Sequence, residues 1–328
     1  MIGRRDFLMQ TAALAAASSL LRPGDARAED AWPQRTVSIV VPFAAGGSAD
    51  LLARLLAQHM QAKFNTPFVV ENRGGAGGSL GTAVVAKAAA DGHTLLLGTV
   101  STHAINPSLY ARLPFDVEKD FVPISLLVRL PNLLVVNNDV PAKTVPELIA
   151  WLKKSEGKVS FGSSGNGTSS HLAAVMFQSA TGTHMTHVPF RSTADEMTNM
   201  IGGSIQVAID SMTSIWPLAK GGQARAIAVS TPQRVAAAPD LPTIGESVPG
   251  YEATGWQGLY APAGTPREIV EKIAAEVKRI LTEPEVMKTL AGVGGEPAPM
   301  TPDEFAAYAA SERAKWAKVV AAAGVRIQ

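Results

Sequence analysis

The chain has 328 residues, 46% of them apolar and 17% charged, with a formal net charge of +1 at pH 7 and no cysteine. That is long enough for one large or two medium domains around a real core, and too apolar for a disordered chain. The absence of a large basic block gives a nucleic-acid role little support, and without cysteine there is no thiol catalysis, iron–sulfur cluster or cysteine zinc site.

Residues 1–28 read as a signal peptide: Arg4 and Arg5 give a basic start, Phe7 to Leu21 an apolar run, and Ala26-Arg27-Ala28 an A-x-A cleavage site. The apolar run is too short and alanine-rich for an anchor. The run "RRDFL" resembles a twin-arginine signal, which implies export after folding; the alternative is the general export route. Losing four basic and two acidic residues takes the net charge from +1 to −1. No later segment reaches eighteen consecutive apolar residues, so a soluble, exported, periplasmic protein is expected, with a core large enough to need no disulfides.

After residue 28 the pattern is strand, glycine loop, helix. Val37 to Val41 is a short β-branched run suited to a buried strand. Ser48 or Asp50 then stands where it would cap a helix carrying Leu51, Leu52, Leu55, Leu56 and Met60 on one face. Phe68 to Glu71, a glycine loop and an alanine-rich helix repeat the plan, and Thr94 to Gly98 gives a third strand. The pattern restarts after residue 130 with "NLLVVN", a helix with Thr144 and Glu147 at capping-box spacing, and "KVSFGSSGNGTSSHLAAVMF". Further strands are "MTHVPF", "IQVAID" and "ARAIAVS". Tyr251 to Ala261 reads as a long strand, and two helices close the chain from Pro266 and Pro302, with Thr265/Glu268 and Thr301/Glu304 as capping-box pairs. Such alternation predicts parallel α/β sheets. Two units joined by extended stretches near 122–136 and 251–261 predict two lobes with a cleft between them, the first built from 29–130 plus 252–328 and the second from 131–251.

The serine- and histidine-rich run 161–173 raises the question of a hydrolase. Ser170 and His171 are adjacent, about 100° apart on a helix, and cannot pair as nucleophile and base. No G-x-S-x-G elbow is present, although His103 or His187 could reach a loop serine through the fold. No loop ends in Gly-Lys-Ser/Thr, and "GGAGGSLG" does not keep G-x-G-x-x-G, so nucleotide phosphates are not indicated. His184 and His187 would face opposite sides of a strand, and no H-E-x-x-H occurs. Structural or surface histidine is the better reading. What the loops share is glycine, which lets backbone approach a ligand, placed before helix starts whose free amides favour an anion. A valine at Gly47 or Gly167 is accordingly expected to block the anion's approach and leave the fold largely intact.

The segments "TVSIVVPFAAGGSADLLARLLA", "VVENRGGAGGSLGTAVVAKAAADGHTLLLGT", "THAINPSLY", "FGSSGNGTSSHLA", "HVPF", "LPTIGESVPGYEATGWQGLYAPAGTP" and "KWAKVV" resemble, in order and over nearly the whole chain after residue 28, the Bug family. These are the TctC-type extracytoplasmic solute receptors of tripartite tricarboxylate transporters. The resemblance implies a two-lobed type II periplasmic-binding-protein fold and capture of a small organic acid: a di- or tricarboxylate, an acidic amino acid or an aromatic acid. It also implies a protein without catalytic activity that needs no metal or organic cofactor and serves membrane subunits of the TctA/TctB type; a monomer is expected. A sensor feeding a signalling partner, or a secreted serine hydrolase, is the alternative.

Carried onto this chain, the resemblance implies a first-lobe ligand loop of Phe43, Ala44, Ala45, Gly46, Gly47, Ser48 and Asp50. Ser79, Thr99, Thr102 and His103 fall on the same lobe's rim. The second-lobe loop is Ser163, Ser164, Gly165, Gly167, Thr168 and Ser169, and Asp210 ends a strand facing the cleft. Two departures stand out. The family's V-P-Y-K-G is here Val188-Pro189-Phe190-Arg191-Ser192, and its F-D-N is Ile209-Asp210-Ser211. Arg191 offers a carboxylate a bidentate partner where lysine is a point charge; the bland reading is a solvated rim charge.

Overall fold

The computed structural model describes residues 32–155, 157–292, 294–324, 326 and 327. The signal peptide expected over residues 1–28 lies outside them. From Trp32 the chain enters β1 (Val37–Val41), α1 (Ser48–Phe64), β2 (Phe68–Asn72), α2 (Ser79–Ala86) and β3 (Thr94–Thr99). A π-type turn, Ser101–Ile105, runs into the short α3 (Asn106–Leu109), and β4 (Phe121–Leu130) follows. After Pro131 come β5 (Asn132–Val136), α4 (Val145–Lys154), β6 (Ser160–Ser163), α5 (Ser169–Thr181), β7 (Thr186–Pro189), α6 (Thr193–Ile201), β8 (Val207–Ser211), α7 (Met212–Lys220) and β9 (Arg225–Val229). The chain ends with β10 (Gly255–Pro262), α8 (Arg267–Leu281), α9 (Pro284–Gly292), β11 (Glu296–Pro297) and α10 (Pro302–Ala323).

The strands form two sheets, ordered β11-β4-β10-β3-β1-β2 and β7-β6-β8-β5-β9. Both are mixed, not parallel throughout. β1 pairs in parallel with β2 and β3, and β6 with β7 and β8. β10 runs antiparallel to β3 and β4, and β5 antiparallel to β8 and β9. Two of the reversed strands adjoin the passages between sheets: β5 leaves β4 through one proline, and β10 brings the chain back. The two-residue β11 also runs antiparallel to β4.

Local chemistry explains most of the elements. In α1 the buried stripe is Leu52, Leu56 and Met60 with Ala49, Ala53 and Ala57, and each large side chain so buried contributes about 1.5–3 kcal/mol. Leu51, expected on that face, is half exposed, because the stripe follows the i, i+4 row through Leu52. Thr301 and Glu304 close a full capping box on α10. Thr144 caps α4, but the Glu147 carboxylate accepts from the Lys143 amide instead of the Thr144 amide. Thr265 does not cap α8: its hydroxyl donates to the Pro262 carbonyl in the preceding turn, and Pro266 is the cap residue. The strand expected from Tyr251 starts at Gly255, and three helices follow it where two were expected, since Pro284 opens α9 as a separate helix.

The crossings are tied to each other. The Asn132 amide donates to Ser230 Oγ at 2.9 Å, and the Ser230 amide returns to the Asn132 carbonyl at 2.9 Å. Asn132 Nδ2 donates to the Ala253 carbonyl at 2.6 Å, and the Ala253 amide to the Ser230 carbonyl at 3.1 Å. On the long C-terminal helix, Glu312 Oε2 accepts from the indole of Trp256 on β10 at 3.0 Å and from that of Trp316 at 3.2 Å. Among the described residues no helix is long and apolar enough to cross a membrane.

Candidate functional site

A cleft of about 640 Å³, counting its open mouth, lies between the two sheets. Four helix starts border it: Ser48 and Ala49 of α1, Thr168 and Ser169 at α5, Ser192 and Thr193 at α6, and Asp210 and Ser211 just before α7. Each start carries unsatisfied amides and a partial positive charge. Phe43, Ala44, Gly47 and Thr99 line the first-sheet side, and Ser164 and Arg191 the second.

The start of α1 is left open. Gly47 is its cap residue and no side chain caps it, contrary to the capping expected of Ser48 or Asp50. Ser48 Oγ accepts from Gln257 Nε2 at 2.9 Å. Asp50 turns to the loop, accepting from the Gly46 amide and Arg54 Nε, both at 3.0 Å. Burial acts against ionisation of its carboxyl, but the Arg54 and Gly46 hydrogen bonds outweigh it and hold the group below its ordinary range. The acid thus fixes the Gly46 turn, and the first amides of the helix face the cleft.

The opposite loop is held by its own hydroxyls. Thr168 caps α5 by accepting from the His171 amide. Ser170 Oγ accepts from the Ser164 amide at 3.1 Å and bonds Ser164 Oγ at 3.0 Å. The Ser169 amide donates across the cleft to Ser101 Oγ at 3.0 Å. His171 Nδ1 accepts from the Gly167 amide at 3.1 Å, so Ser170 and His171, neighbours in sequence, do separate work.

The fold does bring one serine and one histidine together: Ser163 Oγ lies 2.6 Å from His187 Nε2. Ser163 is wholly buried and does not line the cleft. The His187 ring stacks on His171 with centroids 3.9 Å apart, and burial, with His171 adding to it, lowers its pKa to about 4. The pair braces the back of the loop and has no access to a substrate carbonyl in the cleft. Among the described residues no group of three or more histidine, aspartate or glutamate side chains is placed to hold a metal ion.

The sequence-derived site residues therefore divide by position. Phe43, Ala44, Gly47, Ser48, Thr99, Ser164, Thr168, Ser169, Arg191 and Asp210 line the cleft. Ala45, Gly46, Asp50, Ser163, Gly165 and Gly167 belong to the same loops but do not. Ser79 is buried and accepts from Asn106 Nδ2 at 3.1 Å. Thr102 Oγ1 accepts from the Thr99 amide at 3.0 Å and bonds His103 Nδ1 at 2.9 Å. His103 is fully buried against the Tyr260 ring, 4.0 Å between centroids. Burial, helped by Arg313, lowers its pKa to about 3, so it is neutral packing under the rim. Asn132, Leu130, Trp256 and Gln257 also border the cleft. They come from the crossings, where no helix start marks them; the local signals are the polar Gln257 within β10 and the glycines Gly255 and Gly258 that flank Trp256 and Gln257, Gly255 itself lining the cleft.

The family model described as Tripartite tricarboxylate transporter family receptor (TctC) matches residues 52–325. The chain is 34% identical over 301 residues to Protein BugT of Bordetella pertussis, an alignment spanning 91% of this chain and 92% of BugT. It is similar to the solved structure of R. palustris Rpa4515 with adipate, with a TM-score of 0.88 and 35% identity over 90% of this chain and 99% of that one. It is also similar to MatC of Rhodopseudomonas palustris with bound malate, with a TM-score of 0.84 and 33% identity over 88% and 100%.

Proposed function

The chain belongs to the tripartite tricarboxylate transporter receptor family, and on that premise we propose that its cleft captures a small organic carboxylate for delivery to a membrane transporter. The observation that carries this reading is the convergence of four helix starts and Arg191 on one cleft of about 640 Å³. A helix start contributes about 0.3–2 kcal/mol to a nearby anion, and several aimed at one carboxylate grip it without a dedicated basic residue. Arg191 makes no ion pair among the described residues and is exposed at the cleft. It is available for a second carboxylate or for the far end of a longer acid. The relatives solved with adipate and malate support the class.

The lobes proposed are 29–130 plus 252–328, and 131–251, with the Pro131, Ser230 and Ala253 crossings as the hinge. Closure brings α1 and α5 onto the acid from opposite sides. Export by the N-terminal signal places the receptor in the periplasm, where it acts as a binding protein and not as a catalyst.

The test is thermal unfolding of the purified protein against malate, adipate, citrate and benzoate, followed by calorimetry on any that stabilise. At least one is expected to raise the melting temperature, since a ligand specific to the folded state must do so. A flat response to the panel, with ester hydrolysis that disappears in Ser164→Ala, would move the assignment to a hydrolase.

A further inference from the structure

Behind the cleft wall sits a carboxyl group with no conventional partner. Glu196 is wholly buried, and neither of its oxygens has a donor among the described residues. It lies one helical turn beyond Thr193 on α6, so both residues face the same side. Thr193 Oγ1 donates to Asp210 Oδ2 at 3.2 Å, and the Asp210 carboxyl is the polar group that Glu196 itself meets. Asp210 Oδ1 accepts from the Ser211 amide at 2.5 Å, which leaves each Asp210 oxygen a further lone pair. Gly162 on β6 makes the room: a β-carbon there would stand 2.7 Å from Glu196 Cγ and 2.9 Å from Oε1.

Two carboxylates in contact in a buried site cannot both be ionised, and an isolated buried charge neutralises. Among the described residues no Lys, Arg or His pairs with Glu196, and the charge that acts on it is that of Asp210. β6 brings Gly162 and the turn before β8 brings Ile205. α7 contributes the apolar Met212 and Ile215 to the cluster that holds Met197 and Met200. The cation of the adjoining cleft is Arg191, on the side where ligand is expected. Burial, with the Asp210 charge added, raises the Glu196 pKa well above its ordinary value.

We propose that Glu196 is the proton-holding partner of Asp210: a neutral carboxylic acid that donates its hydrogen bond to the Asp210 carboxylate, sets that group's orientation at the cleft wall, and lets an anionic ligand meet one negative charge there instead of two. The proposal rests on the carboxylate-receptor reading for its functional consequence, but not for the proton itself. Glu196 is a positioning residue; Asp210 is the group that lines the cleft and offers an acceptor to a hydroxyl or ammonium on the bound acid.

The experiment compares the purified protein with Glu196→Gln and Glu196→Leu. Infrared spectra of the ligand-free protein at pH 7 are expected to show the carbonyl stretch of a protonated carboxylic acid, lost in both variants. A pKa raised by folding means the folded state holds the proton longer, so stability falls as pH climbs from the ordinary glutamate range through the raised value. Glu196→Gln keeps a donor without titrating and should flatten this fall. With malate and adipate as probes, the Kd of the parent protein is expected to rise roughly tenfold or more as the second charge appears. Glu196→Gln should show no such slope, and Glu196→Leu, lacking the donor, should bind more weakly at every pH. An absent carboxylic-acid band, or equal pH slopes in parent and Glu196→Gln, overturns the proposal. If no protein binds either acid, the receptor reading fails separately, and the infrared and stability measurements still decide the protonation.

Discussion

A β-carbon on Gly47 would meet only the Ala44 carbonyl oxygen, at 3.9 Å, and its φ of −83° is open to any residue. At Gly167, φ is +75° and a β-carbon would stand 2.1 Å from Leu109 Cδ2. The two glycines, expected to behave alike, therefore have different physical roles. Gly47 keeps the cleft clear. Gly167 seats the second loop on the core in a backbone conformation that side chains resist. Gly47→Val is expected to weaken malate or adipate binding by at least tenfold while the melting temperature stays within a few degrees. Gly167→Val is expected to lose about 2 kcal/mol or more of stability from strain and overpacking. Denaturant titration beside calorimetry separates the two, and equal stability loss in both variants would refute the distinction.

At the scale of elements, the cleft depends on what anchors its back wall. Trp256 on β10 borders the cleft, and its indole is held by Glu312 on α10, a carboxylate that also accepts from Trp316 and from Lys315 Nζ at 2.8 Å. Glu312 is 7% exposed, so removing it leaves two buried indole donors unpaired. At about 1–3 kcal/mol for each unsatisfied donor, Glu312→Ala should cost roughly 2–6 kcal/mol of unfolding free energy and loosen the Trp256 side of the cleft. Urea titration measures the loss, and a change under about 1 kcal/mol would mean that the indoles find other partners. The helix starts make a related point. α1 lacks a side-chain cap where α5, α6 and α10 each have one, and its open amides belong to the cleft.

For the whole molecule, the consequential contacts are at the passages between sheets. Asn132 is bonded to Ser230 and Ala253 and also borders the cleft, so a single residue connects the proposed hinge to the cleft. Ser230→Ala deletes the acceptor of the buried Asn132 amide. It is expected to cost about 1–3 kcal/mol in stability and to weaken carboxylate binding, because the crossings no longer set the lobes in register. Small-angle scattering with and without malate tests the motion: the parent protein should contract on binding, and Ser230→Ala should contract less. Identical contraction and affinity would remove the hinge role from this bond.

Much of this architecture is legible along the chain because its causes are local. β-branched runs such as Val37–Val41 make strands, a Thr301/Glu304 spacing makes a cap, and the glycine before the start of α1 marks a loop that lines the cleft. Those features depend on residues a few places apart, and the family resemblance over the segments after residue 28 named the receptor class from the same local motifs. What tertiary structure alone decided lies between residues far apart in sequence. The direction of β5 and β10 follows from the crossings. Gln257 reaches Ser48 from 209 residues away, Ser163 meets His187, and His103 and Ser79 withdraw from the rim into packing. The Glu196 carboxyl, one acid among many on an ordinary helix in the sequence, acquires its meaning only when folding buries it against Asp210, where desolvation and a like charge turn it into a proton holder.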